Sequence, residues 1–74
     1  MYKIYGGDAC PFCHQAKHIL QKNDLPHEWI DVMTNPEMVK ELKSQGLRTI
    51  PQIWLDDTHI GGYNDLVTHL QGDN

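Results

Sequence analysis

Residues 10–14 read Cys10-Pro11-Phe12-Cys13-His14. Two thiols three positions apart, followed by an imidazole, fit three chemistries. C-x-x-C-H is the attachment pattern of a c-type haem. C-x-x-C with histidine can hold zinc. C-x-x-C alone can cycle between dithiol and disulfide. Haem needs a second axial ligand and a large apolar pocket, and a chain of 74 residues that spends much of itself on a sheet has little room to wrap a porphyrin. A structural zinc normally takes four ligands. His14 and His18 fall on the same helix as the cysteines, and no second ligand pair stands at a familiar spacing. His14, His18, His27, His59 and His69 all read as exposed polar residues. Neither metal nor haem is expected.

The dithiol reading is sterically sound. Cysteines three apart at a helix start have Cα atoms ~5–5.5 Å apart, inside the range a disulfide tolerates. Cys10 falls at or just before the first turn. There its sulfur faces unpaired N–H groups and the positive helix end, and both favour thiolate. Cys13 falls one turn inward, in line with Ala16 and Leu20, and should be more buried and remain a thiol. The two roles then differ: Cys10 attacks, and Cys13 resolves the mixed disulfide. A more acidic thiol gains thiolate but loses intrinsic nucleophilicity, so the helix end helps most when Cys10 is the leaving group.

The elements that must position this pair follow from the pattern around it. Tyr2 to Tyr5 is short and β-prone, and "GGDACP" breaks it. From Pro11 to about Asn23, apolar side chains at Phe12, Ala16, Ile19 and Leu20 make a helical stripe, with Pro11 suited to a first helical position. Asn23, Asp24 and Pro26 end it. "HEWIDV" at residues 27–32 reads as a second strand. A second helix starts at "TNPE", where Thr34 or Asn35 can cap and Glu37 complements the dipole; Met38, Val39 and Leu42 face inward and Gly46 ends it. "PQIWL" (51–55) and "THI" (58–60) form a hairpin about Asp56-Asp57, and Gly61-Gly62 breaks the chain before a last helix with Leu66, Val67 and Leu70. The order β-α-β-α-β-β-α implies a parallel first pair with a right-handed crossover and an antiparallel last pair. C-x-x-C just after the first strand of a βαβ unit is the setting of a thioredoxin-like redox motif.

Size and charge narrow the function further. A chain of this length forms one domain, residues 1–74, with a thin core. The loop between Cys10 and Cys13 is too short to constrain much of the unfolded chain, so the pair is a poor staple and a better candidate for chemistry. Net charge is −4, from 6 Lys+Arg against 10 Asp+Glu, which argues against general affinity for nucleic acid or anionic membrane. The N-terminus lacks the pattern of a signal peptide, and no stretch approaches the ~18 apolar residues of a membrane span. A cytoplasmic location is expected, where a C-x-x-C is more often catalytic or metal-binding than structural.

With "CPFC" at the helix start, "TIPQIWLDDTHIGGYNDL" at residues 49–66 and this order of segments, the sequence resembles a dithiol glutaredoxin over essentially its whole length. The resemblance implies an α/β, thioredoxin-like fold: a mixed four-stranded sheet covered by three helices. It implies a monomer that reduces protein disulfides and glutathione mixed disulfides with glutathione as electron source, ribonucleotide reductase being one possible client. Cys10 and Cys13 would be the catalytic pair. Thr49, Ile50 and Pro51 would form one wall of the glutathione site, with a cis Ile50–Pro51 bond exposing backbone beside Cys10. Gly62, Tyr63, Asn64 and Asp65 would form the other. There the N–H groups of Asn64 and Asp65 would hold the γ-glutamyl carboxylate, and the Asp65 side chain its ammonium. Phe12 and Tyr63 would wall the site. The residue three before the first cysteine is often basic in this family. Here it is Gly7, followed by Asp8, which implies weaker glutathione binding. Lys40, Lys43 and Arg48 are the candidates to meet the glycine carboxylate. Two related readings remain: a redoxin reduced by thioredoxin reductase, and a carrier bridging an iron–sulfur cluster between two chains. The presence of Cys13 counts against the second.

Overall fold

The computed structural model describes residues 1–72. Along the chain run β1 (Tyr2–Gly6), α1 (Pro11–Lys22), β2 (His27–Asp31), α2 (Pro36–Ser44), β3 (Gln52–Leu55), β4 (Thr58–Gly61) and α3 (Tyr63–Gln71). Order and type agree with the sequence reading, with boundaries moved by a residue or two. The strands form one sheet in the order β2-β1-β3-β4. β1 pairs parallel with β2, and β3 pairs antiparallel with both β1 and β4. This is the mixed sheet expected from one helical crossover and one hairpin.

Alternation along the central strands divides the sheet into two faces. Ile4 lies opposite Ile53 in the register, and both are fully buried. Ala16 and Leu20 of α1 and Leu66 of α3 join them in one apolar cluster. Full burial of one such Ile or Leu stabilises by roughly 1.5–3 kcal/mol, so a few side chains carry most of this thin core. On the other face, Lys3, Tyr5 and Trp54 meet Met38 and Leu42 of α2 around a recess of about 260 Å³. Tyr5 and Trp54 touch edge to face there, with ring centroids 5.2 Å apart.

Several local expectations change. Phe12 does not share the buried stripe of α1; it is 56% exposed, and Cys13, Ala16 and Leu20 form that stripe instead. The reason is angular, because Phe12 is one position before Cys13 and points about 100° away from the core face. Asn35 is the N-cap of α2 by position, but its side chain makes no cap bond. Its Nδ2 donates to the Asp31 carbonyl at 2.7 Å, which ties the β2–α2 loop together. The hairpin turn has a positive φ at Asp56, 54°. The N-terminal ammonium pairs with the Asp56 carboxylate, so the turn is also anchored to the start of β1.

Candidate active site

Cys10 is the N-cap of α1, and Pro11 occupies the first helical position, where no N–H is needed. The Cys13 N–H donates to Cys10 Sγ at 3.2 Å, so the sulfur does the capping that a serine or aspartate oxygen usually does. A thiolate released at this position would face the same N–H and the positive helix end. The two cysteines form a disulfide, with Cα atoms 5.2 Å apart. Cys10 is half-buried and Cys13 has no exposure.

Gly6 explains the burial of Cys13. A Cβ at Gly6 would lie 2.8 Å from Cys13 Sγ, 2.9 Å from its Cβ and 3.2 Å from the Trp29 ring. Only glycine lets β1 pass this close to the Cys13 sulfur. By sequence Gly6 reads as part of a strand-breaking "GGDACP" stretch; in the structure it is the last residue of β1 and makes room for Cys13. Nothing in the local pattern distinguishes a glycine required by a distant side chain from one required by a turn.

The eight remaining candidates from the sequence come together. Phe12, Thr49, Ile50, Pro51, Gly62, Tyr63, Asn64 and Asp65 line one groove of about 200 Å³. One wall is the segment entering β3, where the Ile50–Pro51 bond is cis and the Ile50 carbonyl oxygen lies 3.8 Å from Cys10 Sγ. The other wall is the start of α3. Asp65 reaches back there and accepts from the Gly62 N–H at 2.9 Å through Oδ2. A carboxylate can accept at both oxygens, so this bond leaves capacity for a cation. Phe12 and Tyr63 close one end, with centroids 5.8 Å apart and planes tilted by 38°. Larger recesses exist, including one of about 390 Å³ against α1. Neither cysteine lines any of the three, but only the groove, and not the two larger recesses, is lined by Ile50, whose carbonyl oxygen lies against Cys10 Sγ.

The basic candidates separate. Lys43 and Arg48 line a small recess that shares Thr49 and Ile50 with the groove, whereas Lys40 lines neither space. Gly7 is buried under Met33, whose Cγ would be 2.9 Å from a Cβ placed there. Met33 itself is 71% exposed. His14 is exposed but tethered: its Nε2 is 2.7 Å from the Asp8 carbonyl oxygen, and its ring stacks on Trp29 at 5.4 Å. His27 departs from the exposed reading. It is half-buried, with Nδ1 2.8 Å from the Leu25 carbonyl oxygen.

These features can be set beside known proteins. The glutaredoxin family model matches residues 2–60. A glutaredoxin of Pseudomonas aeruginosa is 41% identical over 64 residues, covering 85% of this chain and 76% of the relative. The crystal structure of a wheat glutaredoxin superposes with a TM-score of 0.85 at 27% identity, covering 96% of this chain and 72% of that one. The glutaredoxin-like NrdH-redoxin of Escherichia coli, described as having a thioredoxin-like activity profile, gives 0.82 at 25% identity and covers 99% of this chain and 96% of that one. The four-stranded mixed sheet with three helices is thus a thioredoxin-like fold. With a Cys10–Cys13 redox pair at the mouth of α1, this chain belongs to the glutaredoxin family of thiol–disulfide oxidoreductases.

Proposed function

We propose that the protein reduces protein disulfides and glutathione mixed disulfides with glutathione as its reductant. The observation that carries this is the groove beside Cys10, where the start of α3 and the Asp65 carboxylate face the Thr49–Pro51 wall. Free N–H groups at a helix start bind a carboxylate, and Asp65 complements an ammonium. A γ-glutamyl group carries both. Arg48, next to Thr49 and on the adjoining recess, is the better placed of the basic candidates for the glycine carboxylate.

In the chemistry, the Cys10 thiolate attacks one sulfur of a client disulfide. The S–S bond passes to Cys10, and the client's other sulfur leaves as a thiolate. Cys13 then loses its proton and attacks Cys10 Sγ. This releases the second client thiolate and leaves the Cys10–Cys13 disulfide. Two glutathione thiols return the pair to the dithiol, and their sulfurs end as one glutathione disulfide. With a glutathione mixed disulfide, Cys10 takes the glutathionyl group and a second glutathione removes it, so Cys13 is not needed.

The measurement feeds electrons from glutathione and glutathione reductase, or from thioredoxin reductase, and follows reduction of a small glutathione mixed disulfide. Glutathione supports turnover, Cys13→Ser retains it and Cys10→Ser abolishes it. Turnover with thioredoxin reductase alone would overturn the proposal. That result would favour a second reading, a redoxin fed by thioredoxin reductase. Gly7 and Asp8 before the cysteines and the likeness in shape to NrdH-redoxin support this alternative. Ribonucleotide reductase is the client to test first, in a cytoplasmic setting and with the protein as a monomer of a single domain.

A further inference from the structure

Gln52 is the one buried polar side chain among the described residues, with 5% exposure. It begins β3, immediately after the Thr49–Pro51 wall of the groove. Its Nε2 donates to the Thr49 carbonyl oxygen at 2.9 Å and to Thr49 Oγ1 at 3.2 Å. A carbonyl only accepts, so the NH2 end of the amide must face Thr49 and Oε1 must face β4. There the His59 Nε2–H donates to Oε1 at 2.8 Å. Because Oε1 has no proton to offer, the hydrogen on His59 is fixed at Nε2. The His59 ring lies against Trp54, with centroids 4.4 Å apart, and Trp54 leans on Tyr5. A continuous chain of contacts therefore runs from the α2 face of the sheet to the segment that flanks Cys10.

We propose that Gln52, oriented by His59, is a positioning residue for the redox site. It holds Thr49 from both its carbonyl and its hydroxyl. This keeps the Ile50 carbonyl beside Cys10 and gives the groove its shape before substrate arrives. The polarity of the chain matters: His59 aims the acceptor end of the amide, and that aims the donor end at Thr49. Neither residue lines the groove, and the side-chain hydrogen bonds of Gln52 and His59 go to Thr49 and to each other rather than to Cys10. The inference rests on the groove being the glutathione site, so its test carries a readout independent of glutathione.

The test uses Gln52→Leu, His59→Phe and His59→Gln. His59 is exposed on the edge strand β4, so its variants spare the core even if Gln52→Leu does not fold. Losing these bonds raises KM for a glutathione mixed disulfide about 3–10-fold while kcat stays within about twofold. Alkylation of Cys10 by iodoacetamide keeps its wild-type pH profile. His59→Gln restores an N–H donor and recovers most of the loss. In the same proteins, hydrogen exchange at the Thr49 and Ile50 amides quickens in Gln52→Leu and His59→Phe and slows again in His59→Gln. A merely structural role would instead lower the folded fraction, reducing the maximal rate with KM unchanged. Unchanged KM in the folded variants overturns the proposal, whatever the exchange rates. If wild-type protein shows no saturable turnover of the glutathione substrate, it is the groove reading that fails. KM for a peptide disulfide, together with the exchange rates, then decides the positioning role.

Discussion

At Gly6 one missing Cβ decides how closely a strand can approach the Cys13 sulfur. The Gly6→Ala substitution puts a methyl 2.8 Å from Cys13 Sγ and 3.2 Å from the Trp29 ring, beside a fully buried side chain. It is expected to destabilise the fold by about 1–3 kcal/mol, read as a lower denaturation midpoint in guanidinium at constant slope. Gly7 answers differently. The atom in the way of a Cβ there belongs to Met33, which is flexible and exposed, so Gly7→Lys fits after a rotamer change. The added cation supports the Cys10 thiolate and an anionic substrate, and the rate with a glutathionylated substrate should rise. A rate already undiminished and unaffected by Gly7→Lys would sink the idea that Gly7 and Asp8 weaken glutathione binding. Arg48→Ala removes a cation from the recess beside Thr49 and should raise KM for the same substrate about 5-fold, the scale of one screened charge-assisted contact.

Among the elements, the join between β4 and α3 combines a structural and a chemical requirement. Gly61 has φ +123°, which L side chains rarely adopt, and a Cβ there would collide with the Asp65 carboxylate. That carboxylate in turn holds the Gly62 N–H and starts the helix. Gly61→Ala should therefore cost about 1–3 kcal/mol and raise KM for the glutathione substrate together. Paired urea unfolding and steady-state kinetics would check this, and a loss of stability without any change in KM would separate the turn from the site. α1 shows the reverse economy. Its cap is the Cys10 sulfur, so under the proposed chemistry the same N–H that begins the helix would also face the attacking thiolate.

The whole molecule adds a field and a shape. It measures 36 × 22 × 19 Å and carries a net charge of −4. At about 10 mM salt the Debye length is ~30 Å, so every acidic residue is felt at the groove; at physiological salt it is ~8 Å. Glutathione is itself a net anion. The rate constant for capture of its mixed disulfide, kcat/KM, should therefore rise about 1.5–3-fold between these conditions. A neutral substrate should show no such rise, and stopped-flow measurement of both would check it. Shape by itself does not choose the reductant, because the backbone superposes well both on a glutaredoxin and on a glutaredoxin-like redoxin with a thioredoxin-like profile.

The order of elements and the cysteine pair at a helix start were legible in the sequence because each rests on local rules, whereas the members of the groove came only through the family resemblance. Periodicity marks α1, proline and glycine mark its ends, and the "CPFC" and "TIPQIWLDDTHIGGYNDL" stretches mark the family. Tertiary structure alone decided what depends on approach between distant segments: Gly6 as the space for Cys13, Met33 over Gly7, Arg48 rather than Lys40 beside the groove, and the chain from His59 through Gln52 to Thr49. Side-chain distance across a sheet has no period in one dimension, so no local pattern encodes it. The two cysteines could be named from five residues. What surrounds them is set by strands and loops forty positions away and more, as the contact between Cys10 and Ile50 shows.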